Sequence, residues 1–142
     1  MAKFSLKEVA HVEFKAEPKD MDPIKFTLKP INADTMLYYY EFETASAFGD
    51  MLRVKLAIAT QRITGWKGIE DEEGNDVKYT ADALFKLMNH KDFLPYMFTV
   101  ADHTIDEIRK AEQAGVKPTA GEPKEGPKKA KAVEPLNNFD VS

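Results

Sequence analysis

Apolar and polar residues alternate in two short stretches near the start of the chain. The alternation is imperfect over residues 9–16 and clean over residues 24–31, where Ile24, Phe26 and Leu28 fall on one face. Such alternation predicts β-strands, and the sequence EPKDMDP between them, with its two prolines, is typical of a turn. The two stretches therefore predict an N-terminal β-hairpin.

Helical spacing and capping residues then predict three helices in succession. Asn32 is a good N-cap for the first, ADTMLYYYEFETA, and Thr80 is one for the short third helix. The second helix, residues 48–63, is apolar over a wide arc, so we expect it to be the central core helix. Its apolar positions are Phe48, Met51, Leu52, Leu56, Ala59 and Ile63, with Val54 and Ile58 forming a second line.

A fourth and longer helix is predicted to start near Asp92 and to end at Gly115. Asp92 is the expected cap, and Pro95 is tolerated because its missing amide hydrogen falls in the first turn. One face of this helix is apolar, at Leu94, Phe98, Ala101, Ile105 and Ile108, and it is widened by Phe93 and Met97.

The segment RITGWKGIEDEEGNDVKYTADALFKLM, residues 62–88, joins the second helix to the third. Gly65 is expected to end the second helix in a left-handed conformation, and a turn at Gly74 is expected to join two very short strands. Gly65 and Gly68 permit tight backbone turns around Trp66, whose indole we expect to be buried there. We therefore predict a structural clasp formed by Gly65, Trp66 and Gly68.

The composition changes after Gly115. Residues 116–142 are rich in Pro, Gly, Lys and Glu and contain few apolar residues, which predicts a disordered tail. Residues 1–115 are predicted to form a single folded domain. Its expected fold class is α+β and mainly helical: an N-terminal β-hairpin, about four helices, and a small β-turn unit between the second and third helices.

The aromatic run MLYYYEF, Met36–Phe42, has two readings. It is able to stack a ligand, but we favour a core role for Leu37 and Tyr40, with Met36 as a further core candidate, while Tyr38 and Tyr39 cover the surface. Exposed tyrosines suit a protein partner. Apolar residues that reappear near the end of the chain are a second candidate contact, so the partner-binding candidates are Tyr38, Tyr39, Leu136, Phe139 and Val141.

Charge and motif content disfavour most kinds of chemistry. The net charge is −4, whereas a nucleic-acid-binding protein usually carries a basic face. The absence of cysteine excludes disulfides, thiolate zinc sites and thiol nucleophiles. His103 and Glu107 lie four residues apart on a predicted helix, but two ligands do not make a metal site. The sequence has no phosphate-binding loop, dinucleotide fingerprint or nucleophile motif, so we expect no enzymatic activity and no cofactor.

The start of the chain lacks the continuous apolar stretch of a signal peptide, and no run approaches the length needed to cross a bilayer. These features lead us to expect a protein with no membrane association, located in a cytoplasm.

The order of residues in segment 62–88 resembles that of the tail assembly chaperones of long-tailed bacteriophages. In that pattern an apolar residue precedes Gly-Trp, a glycine and an aliphatic residue follow, and an acidic turn leads to a leucine-rich helix. The matching positions are Ile63, Gly65, Trp66, Gly68, Ile69, Asp71, Gly74, Val77, Tyr79, Thr80, Leu84 and Leu87.

The resemblance implies a non-enzymatic assembly factor in the host bacterial cytoplasm. Such a protein would bind the phage tape-measure protein, keep its apolar helices from aggregating, and help to recruit tail-tube subunits; it would need no cofactor, and homo-oligomerisation stays open. Two alternatives remain: a structural virion component of the tail or connector, and a small ligand-binding domain or enzyme built around the tyrosine cluster.

Overall fold

The computed structural model describes residues 1–115 and confirms a mainly helical α+β fold with an N-terminal β-hairpin and four helices. The tail predicted for residues 116–142, with Leu136, Phe139 and Val141, lies outside the described residues. In chain order the elements are β1 (Val12–Ala16), β2 (Ile24–Leu28), α1 (Ala33–Thr44), α2 (Phe48–Arg62), β3 (Ile63–Lys67), α3 (Ala81–Leu87), a 3-10 turn (Lys91–Phe93) and α4 (Leu94–Gln113).

The chain divides into two compact units. The first covers Met1–Glu107, and the second begins at Ile108, of which the structure describes the last turns of α4 and a closing turn. In that turn Gly115 has a φ of 75° and its amide donates to the Glu112 carbonyl at 3.1 Å. Gly115 therefore ends the helix as predicted, while the single domain over residues 1–115 stays a prediction.

The sheet is antiparallel, with the strand order β1-β2-β3. Its third strand was not predicted, because Gly65 was expected to close α2. The prediction is wrong, because α2 ends at Arg62 and Gly65 is a residue of β3. Gly65 pairs with Thr27 of β2 and does not have a positive φ. A Cβ at Gly65 would lie 3.4 Å from the Cβ of Thr27, so the glycine lets these two strands approach closely.

The helix starts agree with the sequence except at α4. The Asn32 side chain accepts from the Thr35 amide at 3.1 Å, and Thr80 accepts from the Ala83 amide at 2.9 Å, as predicted for caps. Pro95 falls in the first turn of α4. The prediction that Asp92 caps α4 was wrong, because Asp92 lies within the 3-10 turn Lys91–Phe93 that precedes this helix.

The rotation of α1 also differs from the prediction. Its buried residues are Thr35, Tyr39 and Phe42, whereas Leu37 and Tyr40 are exposed. The core assignment of Leu37 and Tyr40 and the surface assignment of Tyr39 were therefore wrong. An almost continuous aromatic run does not define one apolar face of a helix. The buried face of α1 is instead marked by a polar contact with α2, in which the Thr35 hydroxyl donates to the Gln61 side-chain oxygen at 2.8 Å.

The core of the first unit is built from the sheet and from α2 and α4. Its completely buried apolar side chains include Phe26 and Leu28 of β2, Ile58 of α2, and Met97 and Val100 of α4. On α2 the buried line is Val54, Ile58 and Arg62, at a spacing of four residues. Phe48, which was expected to lead the core stripe of α2, is exposed.

Candidate functional site

Trp66 connects β3 to the segment that follows it. Its indole is buried, and Nε1 donates to the Val77 carbonyl at 2.8 Å. The ring meets Tyr79 edge-on with 5.0 Å between centroids and Phe93 edge-on with 6.5 Å. The Tyr79 hydroxyl in turn donates to the Ile63 carbonyl at 3.3 Å. Trp66 is thus buried as expected, and its contacts tie the sheet to residues 77–79 and to the 3-10 turn.

The acidic turn after Trp66 is organised by backbone hydrogen bonds to one carboxylate. Asp71 Oδ1 accepts from the amides of Glu73 and Asn75, each at 2.9 Å, and Gly74 has a φ of 84°. The two short strands predicted here reduce to a single bridge between Glu70 and Asp76. A carboxylate that accepts these amides stabilises a turn, so Asp71 has a local structural role.

Gly68 permits the chain to leave β3. Its φ is 98°, and a Cβ at this position would lie 3.3 Å from the Pro23 carbonyl oxygen. Both the left-handed conformation and the close backbone approach favour glycine. Of the three residues of the predicted clasp, Gly68 turns the chain, Trp66 packs, and Gly65 is a strand residue.

Arg62, the last residue of α2, is 1% exposed and joins three elements. Its Nε donates to the Lys29 carbonyl at 2.9 Å, and Nη1 donates to the Thr104 hydroxyl at 2.9 Å. Nη1 also lies 3.5 Å from Glu107 Oε1. Burial lowers the pKa of Arg62, and Glu107 partly opposes that shift. Arg62 was not predicted to be buried, although it continues the buried line of Val54 and Ile58.

The predicted pair of metal ligands has other contacts. The His103 ring stacks on Phe14 with centroids 4.1 Å apart, and its Nε2 lies 3.9 Å from Glu107 Oε1. Glu107 also faces Arg62. No group of three or more potential metal ligands occurs within residues 1–115.

Three apolar side chains are exposed on the helical hairpin formed by α1 and α2. Leu37 is 65% exposed, Tyr40 is 52% exposed and Phe48 is 73% exposed. Leu37 and Tyr40 are three residues apart and share a face of α1, and Phe48 is the first residue of α2, just after the connection. We call these three residues the exposed hairpin surface. Tyr38 is half-buried and Tyr39 is buried, so of the two tyrosines predicted to contact a partner only Tyr38 is accessible.

A groove of about 720 Å³ lies on another part of the first unit. Ile69, Phe93 and Tyr96 contribute buried apolar surface to it. Four carboxylates also line it, those of Glu70, Asp71, Glu72 and Asp92, and the lining contains no lysine or arginine. The groove was not predicted from the sequence, because it forms only when residues distant in sequence are brought together.

None of the helices described between residues 1 and 115 is both long enough and apolar enough to cross a membrane.

Comparison with known proteins places the chain among phage-derived sequences. Residues 50–118, just under half of the chain, match a family described as YdaY prophage protein. The match contains the whole segment 62–88 and extends back into α2 and forward through α4. Searches of curated proteins and of solved structures gave no match. The family match indicates a phage-derived protein.

Proposed function

We propose that this phage-derived protein is a non-enzymatic tail assembly chaperone that binds the tape-measure protein. The observation that supports the proposal best is the exposed hairpin surface, where Leu37, Tyr40 and Phe48 leave more than half of each side chain in contact with water. Contiguous exposed apolar side chains are typical of protein-interaction sites, and Leu37 and Tyr40 are neighbours on one face of α1. An apolar helix face of a partner is a suitable ligand for them.

The gain from covering this surface is large enough for reversible binding. Complete burial of a leucine or aromatic side chain contributes about 1.5–3 kcal/mol, and these side chains are already partly covered. Covering Leu37 and Tyr40 would therefore contribute roughly 1–2 kcal/mol each. Since about 1.4 kcal/mol corresponds to a tenfold change in affinity, the pair accounts for roughly 30-fold to 1,000-fold. Such a contribution allows capture without permanent attachment.

In this role the protein keeps the long apolar helices of the tape-measure protein from aggregating in the host cytoplasm and helps to bring tail-tube subunits to them. It uses no cofactor and catalyses no reaction. The order of glycine, tryptophan and acidic residues in segment 62–88 supports the assignment to tail assembly. The match of residues 50–118 to a prophage protein family supports the phage origin that this role requires.

Co-expression with the tape-measure protein of the same phage tests the proposal. The soluble fraction of the tape-measure protein is measured with wild-type chaperone and with the variant Leu37→Lys/Tyr40→Lys. The matched control is Asn89→Lys/Gln113→Lys, which adds the same charge at two exposed polar positions outside α1, α2 and their connection. We expect the wild type and the control to keep the tape-measure protein soluble and to co-purify with it, and we expect the α1 variant to lose both effects.

Two results would contradict the proposal. Equal protection by the α1 variant would show that the exposed hairpin surface is not used. Stoichiometric recovery of the protein from purified phage particles would assign it to the virion structure instead, since a chaperone leaves once the tail is built.

A further inference from the structure

We propose that the groove beside the acidic turn binds a peptide segment in which lysine or arginine residues flank apolar side chains. This site shares no residue with the exposed hairpin surface, and it does not depend on the assignment to tail assembly. The groove is formed by four parts of the first unit: Met21, residues 69–72 with Val77, Leu87 at the end of α3, and His90 with Asp92, Phe93 and Tyr96.

The apolar part of the groove is suited to side chains of a peptide. Ile69, Phe93 and Tyr96 belong to the core, while Val77 and Leu87 are half-buried at the same groove. A volume of about 720 Å³ exceeds that of one side chain and falls within the range of ligand sites. The groove therefore has space for several consecutive residues.

The charges select the kind of peptide. Glu70, Glu72 and Asp92 are exposed, and none of them forms a salt bridge with a residue in the described part of the chain. The fourth carboxylate, that of Asp71, accepts hydrogen bonds from two amides of the turn and lines the same groove. Carboxylates at both the turn and Asp92 repel an acidic segment and attract a basic one, which also raises the rate of encounter.

Trp66 provides the readout for a binding experiment. It is the only tryptophan in the chain, and its ring contacts Phe93, which lines the groove. The probe is a twelve-residue synthetic peptide of alternating leucine and lysine, and its counterpart has glutamate in place of lysine. Both are titrated into the full chain while the fluorescence of Trp66 is recorded, at low salt and again at about 0.3 M salt, where exposed charges are strongly screened.

Two charge-reversal variants separate the groove from the overall charge. Glu70→Lys/Glu72→Lys changes the groove, and Glu8→Lys/Glu41→Lys makes the same change in net charge at exposed positions that do not line it. We expect the lysine peptide to change the fluorescence saturably, the groove variant to bind it at least tenfold more weakly, and the control to stay within twofold of the wild type. We also expect the glutamate peptide not to bind.

Several results would overturn the proposal. Equal weakening by the two variants would reduce the effect to net charge, and binding of the glutamate peptide would remove the role of the carboxylates. Self-association of the chain that only the groove variant abolishes would assign the groove to a second copy. If the groove variant fails to fold, the wild-type titration decides alone: affinity for the lysine peptide that does not fall with salt contradicts the proposal.

Discussion

Replacing Arg62 by alanine tests whether a buried guanidinium holds the first unit together. The substitution removes the donors that serve the Lys29 carbonyl and the Thr104 hydroxyl, which join β2 and α4 to the end of α2. The Lys29 carbonyl then loses a partner at a part-buried position. Thr104 keeps a bond as donor to the Val100 carbonyl at 3.0 Å and loses only its role as acceptor.

The expected cost follows from these contacts. A hydrogen bond to a charged group contributes about 1.5–3 kcal/mol, and Arg62 makes two at 2.9 Å. The contact with Glu107 adds little, because its distance is 3.5 Å and the Glu107 side chain is 44% exposed, so its charge stays hydrated after the substitution. We expect Arg62→Ala to lower the free energy of unfolding by about 3–5 kcal/mol and the melting temperature by roughly 10–30 °C.

Arg53 on the same helix is the matched control. Its side chain is largely exposed and pairs with Asp50 at 2.9 Å, so Arg53→Ala should cost less than about 1 kcal/mol. Arg62→Lys should fall between the two, since an ammonium keeps the charge without the planar arrangement of donors. Urea unfolding followed by circular dichroism measures all three. A cost for Arg62→Ala as small as that of Arg53→Ala would refute the reasoning.

Three further predictions concern single aromatic residues. Trp66→Ala should cost roughly 3–5 kcal/mol in urea unfolding, and a fluorescence maximum of fully exposed indole in the wild type would contradict its buried position. Tyr39→Ala should destabilise the fold by about 2–5 kcal/mol and Tyr40→Ala by less than about 1 kcal/mol; the reverse order would show that the rotation of α1 is wrong. Burial, together with the charge of Asp22, raises the pKa of Tyr96, so the contribution of Tyr96 to stability should be constant below about pH 10 and fall as pH rises from there to the folded-state pKa. Melting curves of Tyr96→Phe should lack this alkaline loss, and an identical loss in the variant would assign it to other groups.

The sequence was informative where local chemistry decides the structure. Capping by Asn32 and Thr80 depends on side chains and amides three residues apart, and the alternation in β2 reports one buried face directly. The rotation of α1 was missed because five consecutive residues, 36–40, are apolar or aromatic and fit several faces equally well. Its polar contact with α2, through Thr35 and Gln61, distinguishes these faces only in the folded chain.

The third strand and the buried arginine were missed for a related reason. Ile63 continues the helical spacing of α2, and only pairing with β2 favours a strand from this residue onward. Arg62 was not considered as a core residue because arginine is rarely buried unless it is paired. Its position four residues after Ile58 is the signal that was available in the sequence. Neither the acid-lined groove nor the exposed hairpin surface has such a local signal.

Hydrogen–deuterium exchange of the protein alone and in complex with a tape-measure fragment tests the proposed function most directly. If an apolar helix covers Leu37, Tyr40 and Phe48, amides in residues 36–51 should exchange at least tenfold more slowly in the complex, because covering the exposed hairpin surface suppresses local opening. Amides of β1, far from this surface in sequence, serve as the internal reference. Exchange in residues 36–51 that is unchanged in a stable complex would contradict the account.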